Sequence, residues 1–345
     1  MDSQHLRPLE WTGTAIRVID QTALPGALTF RELDTVDAVV DAIVRLAVRG
    51  APALGAIGAL GVVVAIRQGA REGWDDGRLV TEIERIRKAR PTAVNLAWGV
   101  DRVRPLVPDG QAAVLAAAQE IVAEDERVNH RIGRHGADWI LARTGRPKVR
   151  VLTHCNTGFL ATTAWGTALG IVRELHGRGA LEIVYADETR PLLQGSRLTA
   201  WELAQDGIPY LVQVDGAAAS TILRGLVDVA IIGADRIAFN GDTANKVGSV
   251  GVALACAHAG IPFVVAAPES TVDVATPSGA EIEIEMRPDG EVLAFAGVPV
   301  APATSRAYNP AFDVTPASLI AALVTEEGAL EVARGETPGC RRSVR

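Results

Sequence analysis

The chain has 345 residues, 48% of them hydrophobic and 22% charged, with a formal net charge of −7. That length allows two domains on a prior of roughly 100–200 residues each, and the apolar fraction can fill a large core. The acidic balance argues against a nucleic-acid partner, which needs a basic face, but leaves small anionic substrates open. Cys155, Cys256 and Cys340 form neither a disulfide framework nor a CxxC pair, so a reducing, cytoplasmic location without a metal is expected. Met1-Asp2-Ser3-Gln4-His5 lacks the basic-then-apolar plan of a signal peptide. The longest apolar stretch, near residues 51–66, is glycine-rich and shorter than the ~20 residues of a membrane span, so no membrane partner is expected.

In chain order, Ala15–Ile19 reads as a short extended start. Val36, Val39, Val40, Ile43, Val44 and Ala47 then fall on one helical face, with Asp34 able to cap that helix and Gly50 able to end it. Pro52 suits the first turn of a new helix, in which Gly55, Gly58 and Gly61 would let another backbone approach closely. A further helix is expected after Pro91. A long one is expected from Gln111 to Leu141, with possible breaks near Gly133 and Gly136. The rhythm changes near Thr144-Gly145-Arg146-Pro147, which sets the expected boundary between domains 1–145 and 146–345. Beyond it, Val/Ile-rich runs at 149–153, 182–186, 209–214, 228–233 and 262–267 alternate with helical segments, the first of them at 161–174. This alternation predicts an α/β fold: a Rossmann-like parallel sheet after a smaller, mostly helical N-terminal domain. A hairpin is expected from 282–284 to 292–295 across Pro288-Asp289-Gly290.

Ligands of open parallel sheets sit beyond the carboxyl ends of the strands. The polar clusters of the second half fall at that edge: Thr153–Gly158, Asp187–Gly195, Asp215-Gly216, Gly233–Arg236 and Ala267–Glu269. In Thr153-His154-Cys155-Asn156-Thr157-Gly158 the cysteine stands between a strand and an expected helix start, where a thiol can serve as acid, base or nucleophile. Asp235 ends an apolar strand through Gly233-Ala234, a place where partial desolvation suits a carboxylic acid to proton transfer. Cys256 sits on an apolar helix face and reads as core. His154 would point away from Cys155, since adjacent strand residues face opposite ways, so a Cys–His dyad is not expected. Arg49-Gly50-Ala51-Pro52 and Arg90-Pro91-Thr92 each place a guanidinium just before a helix start, a fit for phosphate that an ordinary surface arginine also explains. Asn245-Lys246 could reach the same anion, and Gln194-Gly195 can hydrogen-bond at the sheet edge. No GxGxxG follows the first strand of the second half, which disfavours a dehydrogenase.

Taken together, the ordered strings resemble the methylthioribose-1-phosphate isomerase family, related to the regulatory subunits of the eukaryotic initiation-factor-2 exchange factor. They are Arg49–Ala53, Arg90–Leu96, Thr153–Gly158, Gly166–Gly170, Ala186–Pro191, Gln194–Glu202, Gly233–Ala238, Asn240–Asp242, Ala244–Lys246 and Asn309–Pro316. The resemblance runs from about residue 10 to residue 328 in one register. It implies catalytic roles for Cys155 and Asp235, and substrate binding by Arg49, Gly50, Ala51, Arg90, Gln194, Asn245 and Lys246. It also implies a homodimer, a sugar-phosphate substrate, and conversion of 5-methylthioribose 1-phosphate to 5-methylthioribulose 1-phosphate with no cofactor. The alternatives are isomerisation of 5-deoxyribose 1-phosphate or ribose 1,5-bisphosphate, and a non-catalytic, nucleotide-sensing regulatory subunit. The chain departs from the family pattern at Gly248-Ser249-Val250, where a threonine–tyrosine pair is expected; this bears on the pocket wall behind Lys246.

Overall fold

The computed structural model describes residues 6–91 and 93–338, so Thr92 and Cys340 lie outside the described residues. Two compact units divide the chain: residues up to Arg131 with Thr157–Gly170, and Ile132–Asn156 with the remainder from Ile171.

The first unit opens with an antiparallel sheet, β1 (Leu9–Trp11), β2 (Ile16–Ile19) and β3 (Phe30–Leu33). The helices α1 (Val36–Val44), α2 (Ala51–Glu72), α3 (Asp76–Arg87), α4 (Val94–Val103) and the start of α5 (Gln111–Thr144) follow. In α1 the buried positions are Val36, Val39, Ala42 and Ile43, which is the face the spacing predicts. Thr35 rather than Asp34 caps it, the hydroxyl accepting the Ala38 N–H at 3.2 Å. Gly50 does not end α1, which stops at Val44; it opens α2 instead, with φ +94 and with Ala161 where a side chain would stand. Gly55 and Gly58 face Trp98 and Leu96 of α4, and Gly61 faces Ile86 of α3, so the three-residue glycine spacing is a close-packing device. At 22 residues α2 exceeds the stretch read from composition. Among the described residues it is the one helix long and apolar enough to cross a membrane, but 78% of its apolar window is buried within the protein. Its composition is that of a core helix.

Composition gave no warning of α3. Only Ile83 and Ile86 are buried in it, and its start rests on Asp75 accepting the Arg78 N–H at 2.7 Å. In contrast, α5 continues unbroken through Gly133 and Gly136. A side chain at Gly136 would strike Ile171, so that glycine serves packing rather than interruption.

The second unit is built on β4 (Val149–Thr153), β5 (Leu181–Asp187), β6 (Tyr210–Gln213), β7 (Val229–Ile232), β10 (Phe263–Ala266), β15 (Ala322–Thr325) and β16 (Gly328–Leu330). The sheet order is β16-β15-β10-β7-β4-β5-β6, parallel throughout except for the edge strand β16. The α/β architecture and parallel sheet expected from the Val/Ile runs are therefore present. The intervening helices are α6 (Ala168–Gly177), α7 (Ala200–Gln205), α8 (Ala218–Leu223) and α9 (Ser249–Ala259). A second sheet joins β11 (Val272–Asp273), β8 (Arg236–Ala238), β9 (Thr243–Lys246) and β14 (Phe312–Thr315) in that order.

Two local expectations need correction. The helix after β4 begins at Ala168, not Ala161; Phe159–Ala161 is a single 3-10 turn, and Thr157 instead accepts the Thr167 N–H at 3.0 Å. The hairpin expected across Pro288-Asp289-Gly290 does not form. Those residues lead into the short α10 (Gly290–Leu293), and the hairpin is β12 (Ala294–Phe295) with β13 (Val298–Pro299). Its turn residues Ala296 and Gly297 have φ of +50 and +80, a left-handed pair that fits a tight hairpin turn.

Candidate active site

In the second unit, β4 and β7 are neighbours, with Val151 opposite Val229 and Leu152 opposite Ala230. Thr153 locks their ends by donating its hydroxyl to the Ile231 carbonyl at 2.8 Å. Cys155 follows just past the end of β4, and Asp235 just past the end of β7. Adjacent strands lie ~4.8 Å apart, so the thiol and the carboxyl leave the sheet from the same edge, side by side in strand order.

Cys155 is 7% exposed and has a left-handed backbone, φ +66. Its N–H donates to the Thr189 hydroxyl at 2.8 Å, and its carbonyl accepts from the Thr199 hydroxyl at 2.7 Å. Thr189 and Leu193 are also left-handed, with φ +65 and +59. Three side-chain-bearing residues in that region, one of them β-branched, mark a conformation imposed by the surroundings. The expected helix start at this cysteine is absent, since the next α-helix begins at Ala168; its setting comes from side-chain hydrogen bonds instead. Behind it, Asn156 Nδ2 donates to Glu202 Oε1 at 2.9 Å, and Glu202 Oε2 meets Arg173 at 2.8 Å, all of them buried. Cys256 is fully buried on α9, and desolvation pushes its thiol up to about 12, consistent with the core role expected of it.

Asp235 is half-buried and donates its N–H to the Ala244 carbonyl at 2.9 Å. It lies just beyond the last β8–β9 pair, Arg236 opposite Ala244, while Asn245 pairs with Asp313 of β14. Residues paired across strands share a face, so Asn245 and Asp313 form a polar pair. Asn245 Nδ2 donates to the Ser249 hydroxyl at 2.9 Å, and that hydroxyl donates to the Lys246 carbonyl at 2.8 Å. Lys246 Nζ lies 4.6 Å from the centre of the Phe312 ring. Asp313 accepts the N–H groups of Gly248 and Val250 at 2.8 and 3.2 Å. Burial pushes its carboxyl above the ordinary range, against those bonds and the nearby His154.

Gln194 is 4% exposed, and its Oε1 is buried with no protein partner. It precedes a π-helical turn, Gly195–Thr199, a form enriched at functional sites. Gly195 lies against the Asp187 carbonyl so closely that a Cβ there would overlap it. Asp215 braces this loop by accepting the N–H groups of Thr189 and Arg190 at 2.7 and 2.6 Å.

His154 takes no part in a dyad with the cysteine. Its Nδ1 lies 3.0 Å from Asp187 Oδ2, and its Nε2 lies 2.8 Å from the Val247 carbonyl. Asp187 Oδ1 accepts Gln213 Nε2 at 2.8 Å, and Gln213 Oε1 accepts the Thr221 hydroxyl at 2.7 Å. His154, Asp187 and Asp215 offer ligand atoms within 4.8 Å of one another, the one such group among the described residues. These atoms are already engaged in hydrogen bonds to the protein. Sequence reasoning passed over this network and over Asp313, Thr189 and Glu202. Asp187, Thr189 and Asp215 lay in clusters at the expected strand ends, but nothing in the string shows which of them bond to one another.

The remaining candidates belong to the first unit. Arg49 is buried and precedes Gly50 and Ala51 at the start of α2. Arg90 is half-buried, and its carbonyl accepts the Ala93 N–H at 3.0 Å just before α4. Helices α2 and α4 cross within about two turns of these starts, through Gly55, Gly58 and Gly99. Trp98 packs on Gly55 with Arg102 over its ring, and Trp165 stacks on His130 at 4.4 Å, so both indoles have core partners.

Residues 47–332 match the Initiation factor 2 subunit family. A probable bifunctional methylthioribose-1-phosphate isomerase/methylthioribulose-1-phosphate dehydratase of Nocardia farcinica is 52% identical over 96% of this chain. The chain spans 60% of that longer protein. A methylthioribose-1-phosphate isomerase of Thioalkalivibrio sulfidiphilus is 48% identical over 94% of both chains. The structure of 5-methylthioribose 1-phosphate isomerase from Pyrococcus horikoshii OT3 is similar, with a TM-score of 0.85, 36% identity, and coverage of 99% of this chain and 96% of that one. The translation initiation factor eIF-2B, subunit delta, from A. fulgidus is also similar, with a TM-score of 0.83, 39% identity, and coverage of 94% of this chain and 96% of that one.

Proposed function

The chain belongs to the Initiation factor 2 subunit family, and we propose that within it this protein is an aldose–ketose isomerase. Its substrate in this reading is 5-methylthioribose 1-phosphate and its product 5-methylthioribulose 1-phosphate, a step of methionine salvage. The observation that carries the reading is the placement of Cys155 and Asp235 at the carboxyl ends of adjacent parallel strands. A regulatory subunit has no need of that pair.

The phosphate on the anomeric oxygen prevents simple ring opening to an aldehyde. Asp235 in its acid form donates a proton to the ring oxygen as the ring opens. Hydrogen then moves from C2 to C1. Cys155 as a thiolate takes the C2 proton and returns it at C1, or hydride migrates directly while the buried thiol keeps the reacting carbons dry; in both routes the C2 hydroxyl gives its proton back to the Asp235 carboxylate as C2 becomes the carbonyl. The reaction is an internal oxidation and reduction, so no external redox cofactor is required. Arg49, Arg90 and Lys246 hold the phosphate, with Gln194, Asn245 and the backbone of Gly50 and Ala51 assisting. Fixing that group orients the sugar and lowers the entropic cost of the transition state. Gln194 Oε1, buried and unpartnered, suits a substrate hydroxyl. A cytoplasmic location and a homodimeric state complete the reading.

Turnover of purified protein on 5-methylthioribose 1-phosphate, followed by NMR, tests the assignment. Ketose phosphate should accumulate, and its absence under conditions where the protein is folded refutes it. Run in deuterated water, substantial deuterium at C1 supports the proton shuttle, while retention of substrate hydrogen supports hydride migration or a well-shielded base. Comparison of kcat/KM with 5-deoxyribose 1-phosphate and ribose 1,5-bisphosphate fixes the preferred sugar.

A further inference from the structure

We propose that His154 is a positioning residue: a doubly protonated, buried imidazolium that clamps the Cys155 loop to the turn following Lys246. The inference rests on Cys155 being the working thiol. Both ring nitrogens face acceptors, Asp187 Oδ2 at 3.0 Å and the Val247 carbonyl at 2.8 Å, and the residue is 1% exposed. A carbonyl can only accept, so Nε2 carries a proton. On Asp187 the other oxygen, Oδ1, accepts Gln213 Nε2 at 2.8 Å. Burial pushes the Asp187 carboxyl up while His154 and Gln213 hold it down; with that carboxyl as the ionised partner, Nδ1 also donates.

The surroundings agree with a charged ring. Gly248 makes room for it: a Cβ there would lie 2.6 Å from His154 Cε1, and its φ of +111 suits only glycine. The charged groups facing the ring are carboxylates from three other elements: Asp187 at the end of β5, Asp215 after β6 and Asp313 on β14. The thiol of Cys256 on α9 lies near Asp187, and burial keeps it protonated. Burial opposes the charge on the ring, but the hydrogen bond and negative charge of Asp187, with Asp215 beyond, outweigh it and raise the histidine above its ordinary value.

The consequence for the site is twofold. The clamp joins the end of β4 to the Val247-Gly248 turn, so the loop carrying the thiol and the strand carrying Asn245 and Lys246 move as one body. It also keeps a fixed cation one residue from Cys155, which favours the thiolate.

Two measurements without substrate test this in the intact protein. In 15N NMR of the histidine rings, the His154 nitrogens should both show the protonated signature from pH 6 to pH 8. A neutral tautomer, or a midpoint near 6.5, overturns the proposal. The signal is assigned by its loss in His154→Gln or, if that variant does not fold, by its displacement in Gln213→Leu. The pH midpoint for iodoacetamide alkylation of Cys155, read by peptide mass, should move up by about one unit or more in His154→Gln. An unmoved midpoint in a folded variant also overturns the proposal. Neither readout needs turnover, so failure to isomerise 5-methylthioribose 1-phosphate would count against the function while leaving the clamp to be judged separately.

Discussion

The crossing of α2 and α4 and the carboxyl edge of the parallel sheet are both buried, but they are held by opposite means. At the crossing, Gly55, Gly58 and Gly99 remove side chains so that backbones meet, and the contacts are apolar. At the sheet edge, Thr153, His154, Asn156, Asp187, Thr189 and Glu202 are buried polar groups, each engaged in hydrogen bonds. The first region fails through volume, the second through a missing partner. Stability should therefore respond to methyl groups at the crossing, and activity to single atoms at the sheet edge.

The sharpest break in that contrast comes from the two groups proposed to react. Cys155→Ser and Asp235→Asn should each lower kcat by about a thousandfold or more, in line with loss of proton transfer, while Tm stays near wild type. Near-normal turnover in either variant removes that residue from the chemistry. The counterpart at the crossing is Gly99→Ala. Its methyl would overlap the Gly55 carbonyl, backbone that cannot yield as a flexible side chain would. The expected cost is about 3 kcal/mol or more, seen as a lower denaturation midpoint in urea. An unchanged midpoint would mean that the helices separate freely and that the glycines are not required.

A third test lies in the first unit. The residue Asp125 keeps some exposure, but its carboxylate is desolvated and raised to about 6, even though the Thr163 N–H and hydroxyl donate to it at 2.8 and 2.7 Å. A carboxyl raised on folding binds its proton more tightly in the folded state. Its contribution is full below the ordinary aspartate range and is lost as pH rises through about 4 to 6, by at most about 3 kcal/mol. Asp125→Asn keeps an acceptor for the Thr163 N–H and drops the charge. Its Tm should exceed that of wild type at pH 7–8 and converge with it near pH 4; a gap independent of pH would reject the raised value.

The same contrast explains what could be read from the residues alone. Glycines at 55, 58 and 61 announce close packing because the signal is local and periodic. The strands at 149–153, 228–233 and 262–267 are visible because a strand buried on both faces is a run of Val and Ile. Helix α3 escaped because so little of it is buried, and the hairpin was misplaced because Pro288-Asp289-Gly290 suits a helix start as well as a turn. The sheet-edge rule set Cys155, Asp235 and Gln194 past the ends of their strands, where they lie, while their proposed roles rest on the family motifs. The bonds that hold them were not legible. The pairs His154–Asp187 and Asn156–Glu202 are 33 and 46 residues apart, and nothing in either segment specifies its partner.

The departure at Gly248-Ser249-Val250 gives the smallest expected effect and the finest test of the sheet-edge claim. Ser249 is fully buried, and its hydroxyl both accepts from Asn245 Nδ2 and donates to the Lys246 carbonyl. A threonine hydroxyl could make the same two bonds, so that half of the departure conserves the chemistry. Ser249→Ala leaves Asn245 Nδ2 and the Lys246 carbonyl each without this partner while changing almost no volume. If Asn245 and Lys246 hold the substrate as proposed, KM should rise several-fold with kcat largely kept, the signature of lost uniform binding. Ser249→Thr should leave KM near wild type. If both variants raise KM equally, the site is sensing volume there, and the division between a polar edge and an apolar crossing would not hold at α9. If neither does, Asn245 is positioned by its place opposite Asp313 in the β9–β14 ladder rather than by the hydroxyl.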